Sequence, residues 1–498
     1  MIRKIMMVAF LFVVWIYHPL AADLEELSGL AENSDDAVQS ATTEAGILDD
    51  LSGLADSPEN GGLEDLSDSS APQSDSLSSE AATETGASLE EDNHSLMVNG
   101  YLKPLMYWNS THYADDLWAR FQAMKVQGLN APAHQDENQF TDVGARMQLK
   151  LEGFLGDTAR LFTAVNVEYN DVTDDDASRT AIRMVEAFIE VFDGSRTWKI
   201  GNQLITWGFM EGLEVPTDRI NSRNMAFSST EFEDSKMAST GILLKQYVGD
   251  FSFLDVLYIP MAKVNIDPAY ADYYYLLPDQ LPEAHSDRQQ VALRYSFTQG
   301  NLDMALSYVQ GLDPVADVMV DDNEASQRTW HSLKSPGLDV QYNSGSALLK
   351  LAYVNNQTED ENGDDPFIKN NWQKVVTGAE FYISSAIVNL YVGQLLVSDW
   401  NDSTPLFLQT NALMGQSEEV TNFVSGHVSA SFFPGDALGT TILFASYQNS
   451  DGETLRQIFA PVLKWKIADG LESVVSPTYV ALKETTFVSG KMELKVSF

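Results

Sequence analysis

The 498-residue sequence contains no cysteine. That excludes disulfides, thiolate metal sites, a catalytic thiol and a lipidated cysteine in one step. Basic residues are scarce: 30 Lys and Arg stand against 72 Asp and Glu, for a formal net charge of -42 and a pI near 4.2. Neutralising nucleic-acid phosphates needs a basic surface, so DNA and RNA are set aside as partners. The bulk of the chain lacks helical periodicity, so its length does not by itself indicate a large soluble enzyme. The apolar run from Ile5 to Tyr17 falls short of the roughly 18 to 20 residues that span a bilayer as a helix.

Arg3 and Lys4 precede that run, and Leu20-Ala21-Ala22 closes it with small residues before Asp23. Residues 1–22 therefore read as a cleavable secretory signal peptide. From Asp23 to Ser95 there are twenty Asp or Glu, no Lys or Arg, and no Phe, Trp or Tyr. Such a stretch buries too little apolar surface to offset its ordering entropy, so residues 23–95 are expected to form a disordered acidic segment. Within it Leu24-Glu25-Glu26-Leu27-Ser28-Gly29-Leu30-Ala31 returns as Leu48-Asp49-Asp50-Leu51-Ser52-Gly53-Leu54-Ala55. Leu24, Leu27 and Leu30, like Leu48, Leu51 and Leu54, fall close to one face of a nascent helix, as in a peptide that folds into a partner's groove. A solvating acidic spacer is the other reading of the same residues.

Residues 96–498 differ in kind. Val143, Ala145, Met147, Leu149 and Leu151 alternate with Gly144, Arg146, Gln148, Lys150 and Glu152, and similar alternation recurs at Leu161 to Tyr169, Val291 to Phe297, Leu302 to Tyr308 and Ile387 to Tyr391. Period two means strands with one apolar and one polar face. Very tight connections alternate with long polar ones. The tight ones fall at Gly156-Asp157, Asp193-Gly194, Gly249-Asp250, Gln299-Gly300, Ser344-Gly345, Ser384-Ser385, Pro434-Gly435-Asp436 and Asp469-Gly470. Eight hairpins plus a strand at each end predict an all-β, transmembrane antiparallel β-barrel of about 18 strands (range 14–18), with periplasmic tight turns, external long loops and both barrel ends periplasmic. Trp108, Tyr169, Trp198, Tyr258, Tyr308, Tyr353 and Trp400 lie near expected strand ends, where amphipathic rings favour a membrane interface.

In Lys491-Met492-Glu493-Leu494-Lys495-Val496-Ser497-Phe498 the alternation runs to a terminal aromatic. This resembles the closing strand of Gram-negative outer-membrane β-barrels, and the resemblance implies that Phe498 belongs to a signal read by the barrel-insertion machinery. A second resemblance rests on Gly201-Asn202-Gln203-Leu204-Ile205-Thr206-Trp207-Gly208, Asp218-Arg219-Ile220-Asn221-Ser222 and Tyr258-Ile259-Pro260. These are similar to the Gly-Arg-Gln strand, Trp-Gly pair and Asn-Pro loop of large porin-like outer-membrane barrels catalogued as a domain of unknown function. Asn202 stands where that pattern has Arg, and Ser222 where it has Pro. The resemblance implies a barrel for small solutes, or for lipid-like molecules handed over by an inner-membrane exporter.

In general porins the third external loop folds into the barrel, and here that position is held by Gly208 to Lys236. Glu211, Glu214, Asp218, Arg219, Asn221, Arg223 and Asn224 are its candidate constriction residues, with Arg146 and Lys150 as candidates on the wall. Asp360, Asp364 and Asp365 have oxygen donors around a turn glycine but lack an EF-hand's spacing and terminal Glu, so no dedicated metal or cofactor is expected beyond loosely held Ca²⁺ or Mg²⁺ bridging to lipopolysaccharide. His427 with Ser425 and Ser429 does not make a catalytic set, so the expectation is a non-enzyme. The reading is a passive channel for small hydrophilic solutes in the Gram-negative outer membrane, surrounded by lipid and lipopolysaccharide. Without the first 95 residues, 52 acids oppose 28 bases, which suggests mild cation preference. The acidic segment is expected to dock a periplasmic or inner-membrane protein. A conduit or receptor for lipid-like or chelated ligands and a noncatalytic structural anchor are the alternatives.

Overall fold

The computed structural model describes residues 94–113, 118, 136–170, 180–210, 215–223, 236–265, 279–282, 285–320, 326–365, 367–399, 418–433, 437–482 and 485–498. The expected signal, the acidic segment and Leu24, Leu27, Leu30, Leu48, Leu51 and Leu54 lie outside these residues. Eighteen strands form one sheet: β1 (His94–Tyr113), β2 (Asp136–Leu155), β3 (Ala159–Asn170), β4 (Thr180–Asp193), β5 (Arg196–Gln203), β6 (Ser239–Tyr247), β7 (Ser252–Ile259), β9 (Gln290–Gln299), β10 (Leu302–Leu312), β13 (Ser332–Asn343), β14 (Ala347–Asn356), β15 (Trp372–Ile383), β16 (Ala386–Val397), β17 (Val420–Phe432), β18 (Leu438–Gln448), β19 (Thr454–Ala468), β20 (Leu471–Leu482) and β21 (Thr485–Ser497). Each pairs antiparallel with its neighbours, and β21 returns to β1 with Ser497 opposite Tyr101 and Thr485 opposite Tyr113. Gly100 and Phe498 exchange both backbone hydrogen bonds at 2.9 Å. The sheet is thus a closed barrel with no free edge, at the upper end of the expected strand range. Three short strands, β8 (Asp279–Gln280), β11 (Asp317–Val320) and β12 (Ser326–Thr329), make a separate small sheet within the long loops.

The turn chemistry explains the register. Reversing a strand in two or three residues needs a left-handed backbone position, and Gly156, Gly194, Gly249, Gly300, Gly345 and Gly470 supply it with φ between 57° and 86°. Ser384 takes the same conformation, φ 56°, at the β15–β16 turn. The turn at 434–436 lies outside the described residues, but its flanks Phe432 and Leu438 are paired. His94 pairs with Leu155, beside the first tight turn, so β1 begins at the tight-turn end.

Alternation sorts the side chains in the sense opposite to a soluble protein. Along β9, Gln290, Ala292, Arg294 and Ser296 are buried while Val291, Leu293 and Tyr295 are exposed. On β3, Asn166 and Glu168 are buried while Leu161 and Val167 are exposed, and on β4 Ile182 is 75% exposed. Polar groups inside and bare apolar groups outside fit a barrel whose outer solvent is lipid. Trp198, Tyr342, Phe381, Phe432, Trp465 and Phe498 take outward positions near the tight-turn end, and Trp108, Tyr169, Tyr258, Tyr308 and Tyr353 do so toward the long loops. Two aromatic girdles therefore bracket the apolar band. Trp400 lies outside the described residues. No described helix is long and apolar enough to cross a membrane, which says nothing of strands.

Candidate functional site: the third loop inside the barrel

The third long connection joins β5 to β6 through residues 204–238, and its described parts pack inside the barrel. Gly208 makes the bend, at φ 115°, where a Cβ would press on Val215 and on Thr217 Oγ1 at 2.8 and 2.9 Å. On one side Ile205, Trp207 and Ile220 pack with Leu257 and Ile259 of β7, Ala292 of β9 and Val309 of β10. On the other, Met210 and Val215 join Ala352, Val376, Tyr391 and Phe423 of β14 to β17, with Tyr447 of β18 against the same cluster. Burying such apolar groups gains about 25 cal/mol per Å². The loop is therefore seated on the wall by packing.

Polar contacts fix its course. Thr217 Oγ1 donates to Asp339 Oδ1 of β13 at 2.9 Å, Asn221 Nδ2 to Ile205 O at 2.7 Å, and Gln290 Nε2 of β9 to Arg219 O at 3.2 Å. Lys236 Nζ forms a buried ion pair with Asp218 and reaches Thr206 Oγ1 at 3.3 Å. Burial pushes the Lys236 ammonium below its ordinary range, and the Asp218 carboxylate opposes that shift. Arg219 stacks over Trp372 with its guanidinium 4.5 Å from the ring centroid, and Arg223 N donates to Asn265 Oδ1 at 2.8 Å. From the wall, Arg294 of β9 faces the rings of Trp207 and Phe209 at 5.9 and 5.6 Å.

Of the sequence candidates, Asp218, Arg219, Asn221 and Arg223 come together in this loop. Glu211, Glu214 and Asn224 lie outside the described residues. Arg146 and Lys150 face inward from β2. Arg146 Nη2 meets Glu168 Oε1 at 3.0 Å, and Arg183 Nε meets the other oxygen of that carboxylate at 2.9 Å. Elsewhere on the inner wall Arg160 bridges Glu152 and Glu190 at 2.5 and 3.3 Å, Lys350 meets Glu380 at 2.8 Å, and Lys103 meets Glu493 at 3.7 Å. Sequence reading missed these pairs because their partners stand on different strands. Asn202 turns outward and donates its amide to Val185 O at 3.0 Å. The Asn389 amide donates to His427 Nε2 at 2.8 Å, and the Ser429 and Thr441 hydroxyls meet at 3.1 Å. The Asp360 carboxylate accepts from the backbone of Asp364 and Asp365 at 3.2 Å, so it shapes a turn there. No group of three or more metal-ligating side chains occurs among the described residues.

Outside the membrane-spanning strands a second buried network joins the long loops. Lys369 Nζ meets Asp313 Oδ2 at 3.2 Å and Asp317 Oδ1 at 3.1 Å, and His331 Nδ1 meets Asp317 Oδ2 at 2.7 Å. Burial disfavours the His331 imidazolium, yet the Asp317 carboxylate outweighs it and raises the imidazole above its ordinary value of 6.5. A raised folded-state value contributes stability fully below about pH 6.5 and loses it as pH climbs through the raised value. Amide exchange at Val318 and Arg328, cross-strand partners in the small sheet, is expected to accelerate over that rise by more than base catalysis alone. His331→Gln should remove the excess, and an unchanged profile would contradict the linkage.

The fold and the lumenal loop together define a class, the closed transmembrane antiparallel β-barrel. The chain is similar to the crystal structure of Acinetobacter baumannii OccAB4, with TM-score 0.49 and 9% identity over 80% of this chain and 98% of that one. It is similar also to Pseudomonas aeruginosa OccK3 (OpdO), at 0.49 and 10% over 80% and 95%, and to P. aeruginosa OpdK with vanillate, at 0.48 and 10% over 80% and 98%. No protein-family model and no curated protein matches the chain.

Proposed function

We propose that this barrel is a porin-like channel of the Gram-negative outer membrane that passes small hydrophilic solutes passively. The observation that carries the reading is the third loop seated within a barrel whose inner wall is charged and polar and whose outer face is apolar. The loop would set the narrowest point, with Asp218, Arg219, Asn221 and Arg223 on it and Arg146 and Lys150 on the wall. A conduit for lipid-like ligands wants an apolar route, and the cross-strand ion pairs argue against one. The motif around Trp207-Gly208 supports placing the chain with the large porin-like barrels it resembles. In this reading residues 1–22 direct export, the tight-turn end and both barrel ends are periplasmic, Phe498 serves insertion, and residues 23–95 dock a periplasmic or inner-membrane partner through their leucine repeats. Lipid and lipopolysaccharide surround the barrel, and any Ca²⁺ or Mg²⁺ is held loosely at external acids. Planar-bilayer recording of the purified full chain tests it: discrete ohmic steps with weak ion selectivity are expected, because the wall's charges come in pairs. Absence of any conductance, with the barrel shown to be inserted, overturns it.

A further inference from the structure

The inward course of the third loop turns on one wall carboxylate. Asp339 of β13 stands on the inner face between Ala305 of β10 and Ala352 of β14, its partners across the two ladders, and all three are buried to 1% exposure or less. With alanine on either side, the carboxylate rises clear of its neighbours to where the loop runs. Thr217 Oγ1 donates to its Oδ1 at 2.9 Å, and the backbone N–H of Phe209 is bonded to the same carboxylate. The approach of Thr217 depends on Gly337, also on β13: a Cβ there would come within 3.0 Å of Thr217 Cγ2 and 2.6 Å of Ser307 Oγ.

Phe209 and Thr217 are the two ends of the loop's tip, Met210 to Pro216. Beyond them Met210 and Val215 carry the contact on to Ala352, Val376, Tyr391 and Phe423. One side chain therefore closes the base of the tip by holding both of its arms. A carboxylate suits that place because it only accepts, so two donors converge on it without meeting a donor of its own, and its charge makes each bond roughly twice as strong as a neutral one. The loop's other polar contacts do less. Asn221 bonds to Ile205 O and Lys236 to Asp218, all within the loop, so these move with it, and Gln290 holds Arg219 O on the return arm alone.

We propose that Asp339 is the positioning residue of the constriction, a latch that pins both arms of the third loop's tip to the wall. Without it the tip leaves the β14 to β17 wall and the lumen widens there. The widening rests on the channel reading above, whereas the latch itself does not.

The sequence has no cysteine, so an introduced thiol reports access without background. Val376→Cys, at a fully buried position packed in one cluster with Met210, is expected to react slowly with a water-soluble maleimide in the full chain. Adding Asp339→Ala should speed that reaction on the order of tenfold, the factor that losing a hydrogen bond to a charged group carries. Thr217→Val breaks the same contact from the loop side and should speed it several-fold, whereas Thr217→Ser keeps the hydroxyl and should leave it slow. Combining Asp339→Ala with Thr217→Val should add little to Asp339→Ala alone. Thr197→Cys, inward on β5 and away from the tip, should label at one rate throughout. Unchanged labelling of Val376→Cys in both variants overturns the proposal, as do equal gains at Thr197→Cys, which mean general loosening, and strictly additive effects. In bilayers Asp339→Ala should add a larger conductance level, and a conducting barrel with unaltered levels overturns the proposal too. Faster labelling in a barrel that never conducts supports the latch and defeats the channel reading alone.

Discussion

Single-channel conductance is expected to rise several-fold when residues 206–222 are replaced by a short Gly-Ser link. That stretch carries Trp207, Met210 and Ile220 into the interior, where they pack with the walls of β7, β9, β10 and β14 to β17, so its removal should free cross-section within the barrel. Barrel closure should survive, because the strand pairings flanking the loop, Gln203 with Ser239 and Asn202 with Thr240, do not pass through it. Unheated gel mobility checks closure, and bilayer recording checks the pore. Unchanged conductance in a closed barrel would place the constriction elsewhere. Lys236→Met should act in the same direction more weakly: it leaves Asp218 buried without its ammonium, so the loop loosens and current noise grows.

The largest loss of stability is expected from Glu380→Ala. Lys350 and Glu380 meet at 2.8 Å with side chains only 2% and 3% exposed, and the Tyr382 hydroxyl also donates to the carboxylate. Removing one member of such a pair strands the other charge away from water, at a cost of about 3–5 kcal/mol. Replacing both, as Lys350→Met with Glu380→Leu, removes the stranded charge and should recover most of that loss. Denaturant titration in detergent, read as a double-mutant cycle, measures the coupling. If the single and double variants are equally destabilised, the pair is hydrated from the lumen and burial is not what governs it.

The barrel was legible in the sequence because its rules are local. A tight turn needs a left-handed residue, which Gly156, Gly194 and Gly470 advertise, and a strand between lipid and lumen needs period two, which Met147, Leu149 and Leu151 display. The inward course of the third loop was likewise expected from its position. What it touches was not. Asp218 meets Lys236 eighteen residues on, Thr217 reaches Asp339 across 122 residues, and Arg219 settles on Trp372. The loop's acids and arginines were read as candidates for a constriction, and among the described residues Asp218 is matched within the loop itself. The wall partners Asp339 and Trp372 are brought to the loop by the closed sheet, and no short window of sequence contains both ends of those contacts. The same holds for Arg146 with Glu168 and Lys103 with Glu493.

The seam that joins β1 to β21 also has a kinetic meaning. Every other barrel pairing links strands that follow one another along the chain, mostly through short connections, whereas Tyr101 and Ser497 are nearly the whole barrel sequence apart. Bringing such distant ends together from an open chain costs about 5 kcal/mol in loop-closure entropy, so hairpins should form first and the seam last. Until then the assembling sheet has two long unpaired edges, at His94–Tyr113 and Thr485–Ser497, of the kind that recruits other chains. Aggregation and assembly therefore compete at a single step, and a helper that holds the final strand until the first arrives would govern yield without altering the finished barrel.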